Sequence, residues 1–299
     1  MNIFITGGTG FIGRALTQHL RQQGHAITIL SRHPETIPGI CGADIKAISD
    51  LQNLPPEIPY QIIINLAGAP IFDARWTESR KQLIRSSRIG LTEQLVAAIA
   101  RMPVKPELLI SGSAIGYYGD QGDTVLTEQA TTRQDFSQQL CSDWETAARQ
   151  AEVLGVRVCL IRTGLVIGAN GGLLKRMLLP FQLGLGGRLG SGQQWMSWID
   201  RQDWIAICDT MINDASMRGA YNATAPNPVS NAEFTQTLAQ CLNRPALLPL
   251  PGFFLKMLIG EMSELVLGSQ RVIPDRLLTQ GFTFQYPSLA SAINHALKG

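Results

Sequence analysis

The sequence predicts an α/β chain: a doubly wound parallel sheet with a smaller, irregular C-terminal lobe. Three observations carry this. A glycine-rich turn joins an apolar run to a helical stripe at the N-terminus. Near-continuous apolar runs then alternate with helical patterns, and the alternation loosens from about residue 165. The chain opens MNIFITGGTGFIGRAL. Ile3, Phe4 and Ile5 form a short run of the kind a buried strand requires. Behind Gly13 the period changes, and Phe11, Ile12, Ala15, Leu16 and Leu20 follow a helical stripe. Gly7, Gly10 and Gly13 therefore sit on a strand-to-helix turn. Such a turn offers unpaired backbone N–H groups at a positive helix end, which suits a pyrophosphate.

Further along, the runs AITILS (26–31), YQIIIN (60–65), ELLISGS (107–113) and VRVCLIRTG (156–164) read as strands of a sheet covered on both faces. Between the second and third of these, Ile84, Arg88, Leu91, Leu95 and Ile99 share one helical face. Phe136, Leu140 and Trp144 mark another helix at four-residue spacing. Alternating strand and helix implies right-handed βαβ crossovers and a Rossmann-like sheet. We assign residues 1–165 to a dinucleotide-binding domain, completed by 200–225, and 166–299 mostly to the substrate lobe. In that lobe GANGGLLKRMLLPFQLGLGGRLGSGQQWMSWID is rich in glycine and apolar residues, and prolines interrupt PLPGFFLKML (249–258).

Composition narrows the function classes. A formal net charge of +2 over 299 residues points away from nucleic acid and from anionic membranes. No apolar run reaches spanning length. The start enters the glycine turn at once and reads as lacking a signal peptide. Five cysteines, with no Cys-x-x-Cys pair, and four scattered histidines predict neither a disulfide framework nor a metal site. The expectation is a cytoplasmic protein with reduced thiols and a small-molecule substrate; the sequence leaves a homodimer open.

TGGTGFIG is more informative than a bare glycine triplet because strand, turn and helix fall where the chemistry needs them. Gly7, Thr9, Gly10, Phe11, Ile12 and Gly13 are the candidate dinucleotide contacts. An NAD site places an acidic residue after the second strand to hold the ribose 2′-hydroxyl. Here that strand ends in Ser31-Arg32-His33, and a hydroxyl with a guanidinium suits a 2′-phosphate. NADP(H) is the expected cofactor, the alternative being that Arg32 is a solvated loop residue.

The glycine motif, NLAGAP (65–70) and SGSAIGYYG (111–119) resemble the turn, the Asn-x-Ala-Gly element and the serine-bearing strand of extended short-chain dehydrogenases/reductases. NLAGAPI, RWTESRK, SRIGLTEQL, DFSQQLCSDWE, LLPFQLGLGGRLGSG and VIPDRLLTQGF narrow the resemblance to the atypical, nucleotide-sugar epimerase-like proteins of that superfamily. The resemblance covers almost the whole chain, including a family C-terminal segment from about residue 247. It implies that Leu66, Ala67 and Gly68 pass the ribose and nicotinamide, and that Arg88 contacts an anionic part of NADP. The alternatives are a tight turn capped by Asn65 and an intramolecular carboxylate partner for Arg88.

Ordinary members of the superfamily use a serine with a Tyr-x-x-x-Lys pair. Ser113 matches the serine, but the expected helix, DFSQQLCSDWETAARQ, holds neither tyrosine nor lysine. Aligning on Glu145 puts Ser137 and Cys141 at the two places; aligning on the aromatic puts Phe136 and Leu140 there. Tyr117 or Tyr118 is the candidate surrogate acid, against stacking or core packing; a Cys141 thiol, water or the substrate itself are the other proton sources. In the second lobe Gln193, Trp195 and Trp198 are the candidate substrate pocket, against an interlobe or dimer contact. Asp203 reads as an N-terminal cap or dipole partner of the helix in WIAICDTMI. Two functions follow: an NADP(H)-dependent oxidoreductase or epimerase acting on a small polar, nucleotide-sugar-like substrate, or a non-catalytic protein that responds to NADP(H).

Overall fold

Near-continuous β-branched runs leave few options but a sheet buried on both faces, and the chain builds one from seven parallel strands. They are β1 (Asn2–Thr6), β2 (Ala26–Leu30), β3 (Lys46–Ile48), β4 (Ile62–Asn65), β5 (Leu108–Ala114), β6 (Arg157–Thr163) and β7 (Gly219–Ala223). This computed structural model describes residues 1–55 and 58–298. The strand order is β7-β6-β5-β4-β1-β2-β3, so the winding direction reverses between β1 and β4. Ile5 of β1 pairs with Ile29 on one side and Ile64 on the other. At the reversal, helices leave opposite faces and a crevice opens beyond the carboxyl ends of the strands.

The two-residue period sorts side chains between two cores. Ile3, Ile5, Ile64, Ile110 and Ile161 pack on one face with Leu16, Leu20 and Trp204, from helices Phe11–Gln22 and Arg201–Asn213. Phe4, Ile63, Leu109, Val158 and Leu160 face the other core, against Leu95 and Ile99 of helix Leu91–Arg101 and Ala148 of helix Phe136–Arg149. β3 lies in none of the apolar runs. It is a short edge strand bearing Lys46, and an edge needs no such run.

One expected helix is not uniform. Glu78–Arg85 and Leu91–Arg101 are joined by a π turn at Ser86–Gly90, which holds Arg88. Periodicity does not reveal the extra residue of such a turn, and π turns recur at functional sites.

The C-terminal lobe has its own core, in which Leu174, Phe181, Phe234, Leu238 and Ile293 surround Trp198. Trp198 is fully buried and donates its indole N–H to the Asn227 carbonyl at 3.1 Å. It is a core residue of a short strand, Trp198–Asp200, which pairs with Leu165–Ile167. Asp200, rather than Asp203, caps helix Arg201–Asn213, accepting from the Gln202 N–H. Asp203 is buried and accepts from the backbone N–H groups of Gln285 at 2.7 Å and Tyr286 at 3.0 Å. It thereby ties down the segment that leads into the last helix, Leu289–Lys298. Among the described residues no helix is long and apolar enough to cross a membrane, and no cluster of three His, Cys, Asp or Glu side chains could hold a metal.

Asp203→Ala removes both of these charge-assisted acceptors from buried backbone. We expect it to cost about 2–4 kcal/mol. The urea unfolding midpoint reads this directly, and an unchanged midpoint would contradict the assigned role.

Candidate functional site

The crevice at the strand reversal is a cleft of ≈ 920 Å³, at the upper end of the roughly 300–1,000 Å³ usual for small-molecule sites. One wall is the glycine turn. Gly7 has φ +72°, and a Cβ there would lie 2.6 Å from the Leu66 carbonyl carbon. A Cβ on Gly13 would run into the Gly7 carbonyl oxygen. Both glycines are therefore demanded by the protein's own backbone packing. Gly10 differs: its nearest obstacle is the Gly7 oxygen at 3.3 Å, and it lines the cleft. Helix Phe11–Gln22 starts at Gly10 with no side-chain cap and no acidic residue in its first turn. Its positive end is left for whatever enters the cleft.

Opposite stands the loop after β4. Buried Asn65 donates to Thr92 Oγ1 at 2.8 Å and accepts from Thr6 Oγ1 at 2.7 Å. The Ala67 N–H reaches Thr6 Oγ1 at 3.2 Å, and the Ala69 N–H reaches Ser87 Oγ at 2.9 Å. These bonds hold the loop with Leu66 and Gly68 on the cleft wall. Asn65 thus does more than cap a turn: it joins β1 and β4 to the helix that bears Thr92. Trp144 adds its indole N–H to the same Thr92 oxygen at 3.0 Å.

Arg88 projects from its π turn into this cleft. It has no carboxylate partner among the described residues; its Nη1 donates to the carbonyls of Ala69 at 3.0 Å and Ile84 at 3.3 Å. Its guanidinium sits 5.5 Å from the Trp144 ring centre. Burial works against its charge and lowers its pKa. The intramolecular carboxylate is absent, and a desolvated cation is left facing the cavity. At the tip of β2, Arg32 is exposed and makes no hydrogen bond or ion pair among the described residues, while Ser31 Oγ accepts from the His33 N–H. Thr9 is exposed beside the glycine turn.

At the carboxyl end of β5, Ser113 lines the cleft and donates to Glu145 Oε1 at 2.8 Å. Glu145 is buried on helix Phe136–Arg149 and receives both arms of Arg162, at 2.8 and 2.9 Å. Arg162 also donates to the Tyr118 hydroxyl at 3.0 Å, which in turn donates to Asn222 Oδ1 at 2.6 Å. Burial pushes the Tyr118 hydroxyl up to about 12. Tyr117 stacks on the Arg162 guanidinium at 3.4 Å. Neither tyrosine is among the residues that line the cleft, and both pack on the Arg162 guanidinium. The reason is the arginine itself. A buried cation on β6 draws every nearby π face and oxygen toward it.

On helix Phe136–Arg149, Ser137, Leu140 and Cys141 line the cleft, while Phe136 packs on Trp76. Burial raises the Cys141 thiol to about 12, so it holds its proton through the physiological range.

A second chamber of ≈ 390 Å³ adjoins the cleft and shares Ile115, Leu165 and Gln270 with it. Of the three expected substrate residues it contains Trp195 alone. Gln193 is exposed beside it, and Trp198 lies in the core. Sequence reasoning missed Arg162 and Thr92. An arginine near the end of the apolar run VRVCLIRTG was the available signal for the first; Thr92 left none.

Comparison with known proteins gives a consistent picture. The model of the NAD dependent epimerase/dehydratase family matches residues 3–223, and a domain of unknown function, DUF1731, matches residues 250–296. Epimerase family protein YfhF of Bacillus subtilis is 39% identical over 299 residues, covering 99% of this chain and 98% of that protein. The crystal structure of human epimerase family protein SDR39U1 (isoform 2) with NADPH superposes with a TM-score of 0.90 at 33% identity, over 100% of both chains. A nucleoside-diphosphate sugar epimerase from Corynebacterium glutamicum gives a TM-score of 0.79 at 34% identity, over 99% of this chain and 58% of that one.

Removing Glu145 would leave the Arg162 charge buried without its carboxylate. Glu145→Ala should lower stability by about 3–5 kcal/mol in denaturant unfolding. The double change Glu145→Met with Arg162→Met should recover much of that loss, since neither charge is then buried. A single-variant loss below about 1 kcal/mol, the range of an exposed pair, would show that the pair is solvated.

Proposed function

The chain belongs to the NAD dependent epimerase/dehydratase family, and on that basis we propose that it binds NADP(H) in the glycine cleft and acts as an oxidoreductase or epimerase on a small substrate. One observation carries the cofactor assignment. The cleft presents an uncapped helix start and the Arg88 guanidinium, which has no carboxylate partner among the described residues, while Arg32 stands exposed at the end of the second strand. A dinucleotide phosphate supplies the missing negative charges, and the NADPH in the human relative supports the same reading.

In this reading the N–H groups around Gly10 to Gly13 hold the pyrophosphate. Ser31 and Arg32 hold the 2′-phosphate, where an NAD site would carry an acid. Arg88 neutralises an anionic group from the opposite wall, and Leu66, Ala67 and Gly68 let backbone approach the ribose and nicotinamide. When bound, the nicotinamide ring supplies or accepts hydride. Ser113 spends its own hydrogen on Glu145, so its oxygen is free to accept the hydrogen of a substrate hydroxyl. The Glu145–Arg162 pair fixes that orientation. With no tyrosine among the described residues that line the cleft, water supplies or takes the proton at the substrate oxygen, while Ser113 holds a substrate hydroxyl by accepting its hydrogen bond. That same missing tyrosine favours a second reading, an NADP(H)-responsive protein without turnover.

NADPH should bind more tightly than NADH. Arg32→Ala should remove about 1–3 kcal/mol of the difference, the value of a charge-assisted hydrogen bond. Fluorescence titration with both nucleotides measures it, and equal affinities in the parent protein would refute the 2′-phosphate assignment.

Gly10→Val tests the turn itself. A valine there meets little protein but fills space facing the cleft, so the variant should stay folded and lose cofactor affinity. A folded variant with parental affinity would remove the turn from the site.

A further inference from the structure

We propose that the substrate is an apolar molecule carrying a carbonyl or hydroxyl, whose hydrocarbon body fills the second chamber, and that it is not a nucleotide sugar. This inference rests on the oxidoreductase reading for the location of the reacting carbon, in the cleft beside Ser113.

The chamber opens from the cleft just past β5 and β6, through Ile115 and Leu165, where a substrate next to the nicotinamide must lie. Its walls are apolar, with Met177, Phe181, Leu189 and Met196 among them. The polar side chains in it are already engaged. Arg176 is paired with Asp73 at 2.7 Å, and the Trp195 indole N–H is held by Asp123 at 2.8 Å. Ser197 donates to the Gln270 carbonyl at 2.7 Å and accepts from the Val272 N–H at 2.8 Å. Asn231 accepts from the Leu189 N–H at 2.7 Å, with its amide nitrogen 3.3 Å from the Met196 sulfur. Gln270 donates to the Gly119 carbonyl at 3.3 Å, which leaves its amide oxygen and one amide N–H.

A nucleoside diphosphate brings two negative charges and a sugar brings a ring of hydroxyls. Buried without partners, each such group costs free energy. Here the single arginine is already paired with an aspartate, and what else remains uncommitted is neutral amide, with no second cation among the described residues of the wall to meet a diphosphate. An apolar body meets no such penalty, and its burial is favourable in proportion to its area. The mouth agrees. Leu185 and Leu248 line the chamber yet are 57% and 53% exposed, and Leu183 and Leu247 beside them are also exposed. A polar substrate gains nothing from such an entrance, whereas an apolar one is captured there.

The test titrates the full chain with methyl ketones of increasing length, from 2-hexanone to 2-decanone, and with UDP-glucose. Each titration is run with and without NADPH, and tryptophan fluorescence is followed because Trp195 is part of the wall. Ketone affinity should rise about four-fold per methylene, and UDP-glucose should not saturate. Leu185→Glu and Leu248→Glu, at exposed positions that tolerate charge, should weaken 2-decanone about ten-fold or more by placing a carboxylate at the mouth. A flat ketone series, tighter binding of UDP-glucose than of 2-decanone, or unaffected mouth variants would overturn the proposal. A chain that keeps the ketone slope but fails to bind NADPH supports the apolar chamber and contradicts the cofactor reading. One that binds NADPH and prefers UDP-glucose does the reverse.

Discussion

The close approach of two backbone segments at the strand reversal governs the rest of the molecule. β1 and β4 are neighbours in the sheet, yet their helices leave on opposite faces, so the Gly7 turn and the Leu66–Gly68 loop meet edge to edge. No side chain fits between Gly7 and Leu66, or between Gly13 and Gly7. That contact sets the helix start at Gly10 against the crevice and fixes the floor of the cleft. The Asn65–Thr6–Thr92 bonds lock the same junction from beneath.

A second constraint is electrostatic. Most of the sheet is hydrocarbon, but β6 carries Arg162 into the interior, only 3% exposed. Its charge survives burial because Glu145 meets it with two hydrogen bonds, while Tyr117 and Tyr118 cover its remaining face. Burial opposes the cation, and the Glu145 carboxylate more than offsets that, so the Arg162 pKa is raised. The superfamily's lysine would place a positive charge on the helix next to the cleft. This chain holds a positive charge one layer deeper and presents it to Ser113 through a carboxylate. The consequence is a serine oriented by its bond to Glu145.

In the proposed function the two cavities divide the chemistry between them. The cleft collects unpaired N–H groups and guanidiniums, which suit a polyanion. The chamber beyond it has spent its polar groups on its own walls and offers hydrocarbon. Hydride exchange between a charged dinucleotide and an apolar partner needs such a junction, with a polar oxygen such as that of Ser113 where they meet.

Local pattern was enough for most of the fold. The period-two and period-3.6 runs in the sequence correspond to β1, β2, β4, β5, β6 and the helices around Leu95 and Trp144, because a buried parallel sheet demands continuous apolar residues. The glycine turn was equally legible, since its residues and its function are contiguous. The edge strand β3 and the π turn around Arg88 were not, because neither leaves a mark in the hydrophobic period. The catalytic end was the least legible part. Tyr117 and Tyr118 follow Ser113 closely in the chain, but Arg162 and Glu145, distant in sequence, decide which way they turn. Trp198 shows the same limit: two residues separate it from Trp195, and strand pairing sends one indole into the core while the other reaches the chamber. The sequence alone determined the parallel sheet and the dinucleotide turn, whose physics is local. The orientation of Ser113, the burial of the tyrosines and the apolar chamber were decided only when β5, β6 and the C-terminal lobe came together, because a side chain's partner across a sheet is set by pairing and not by spacing.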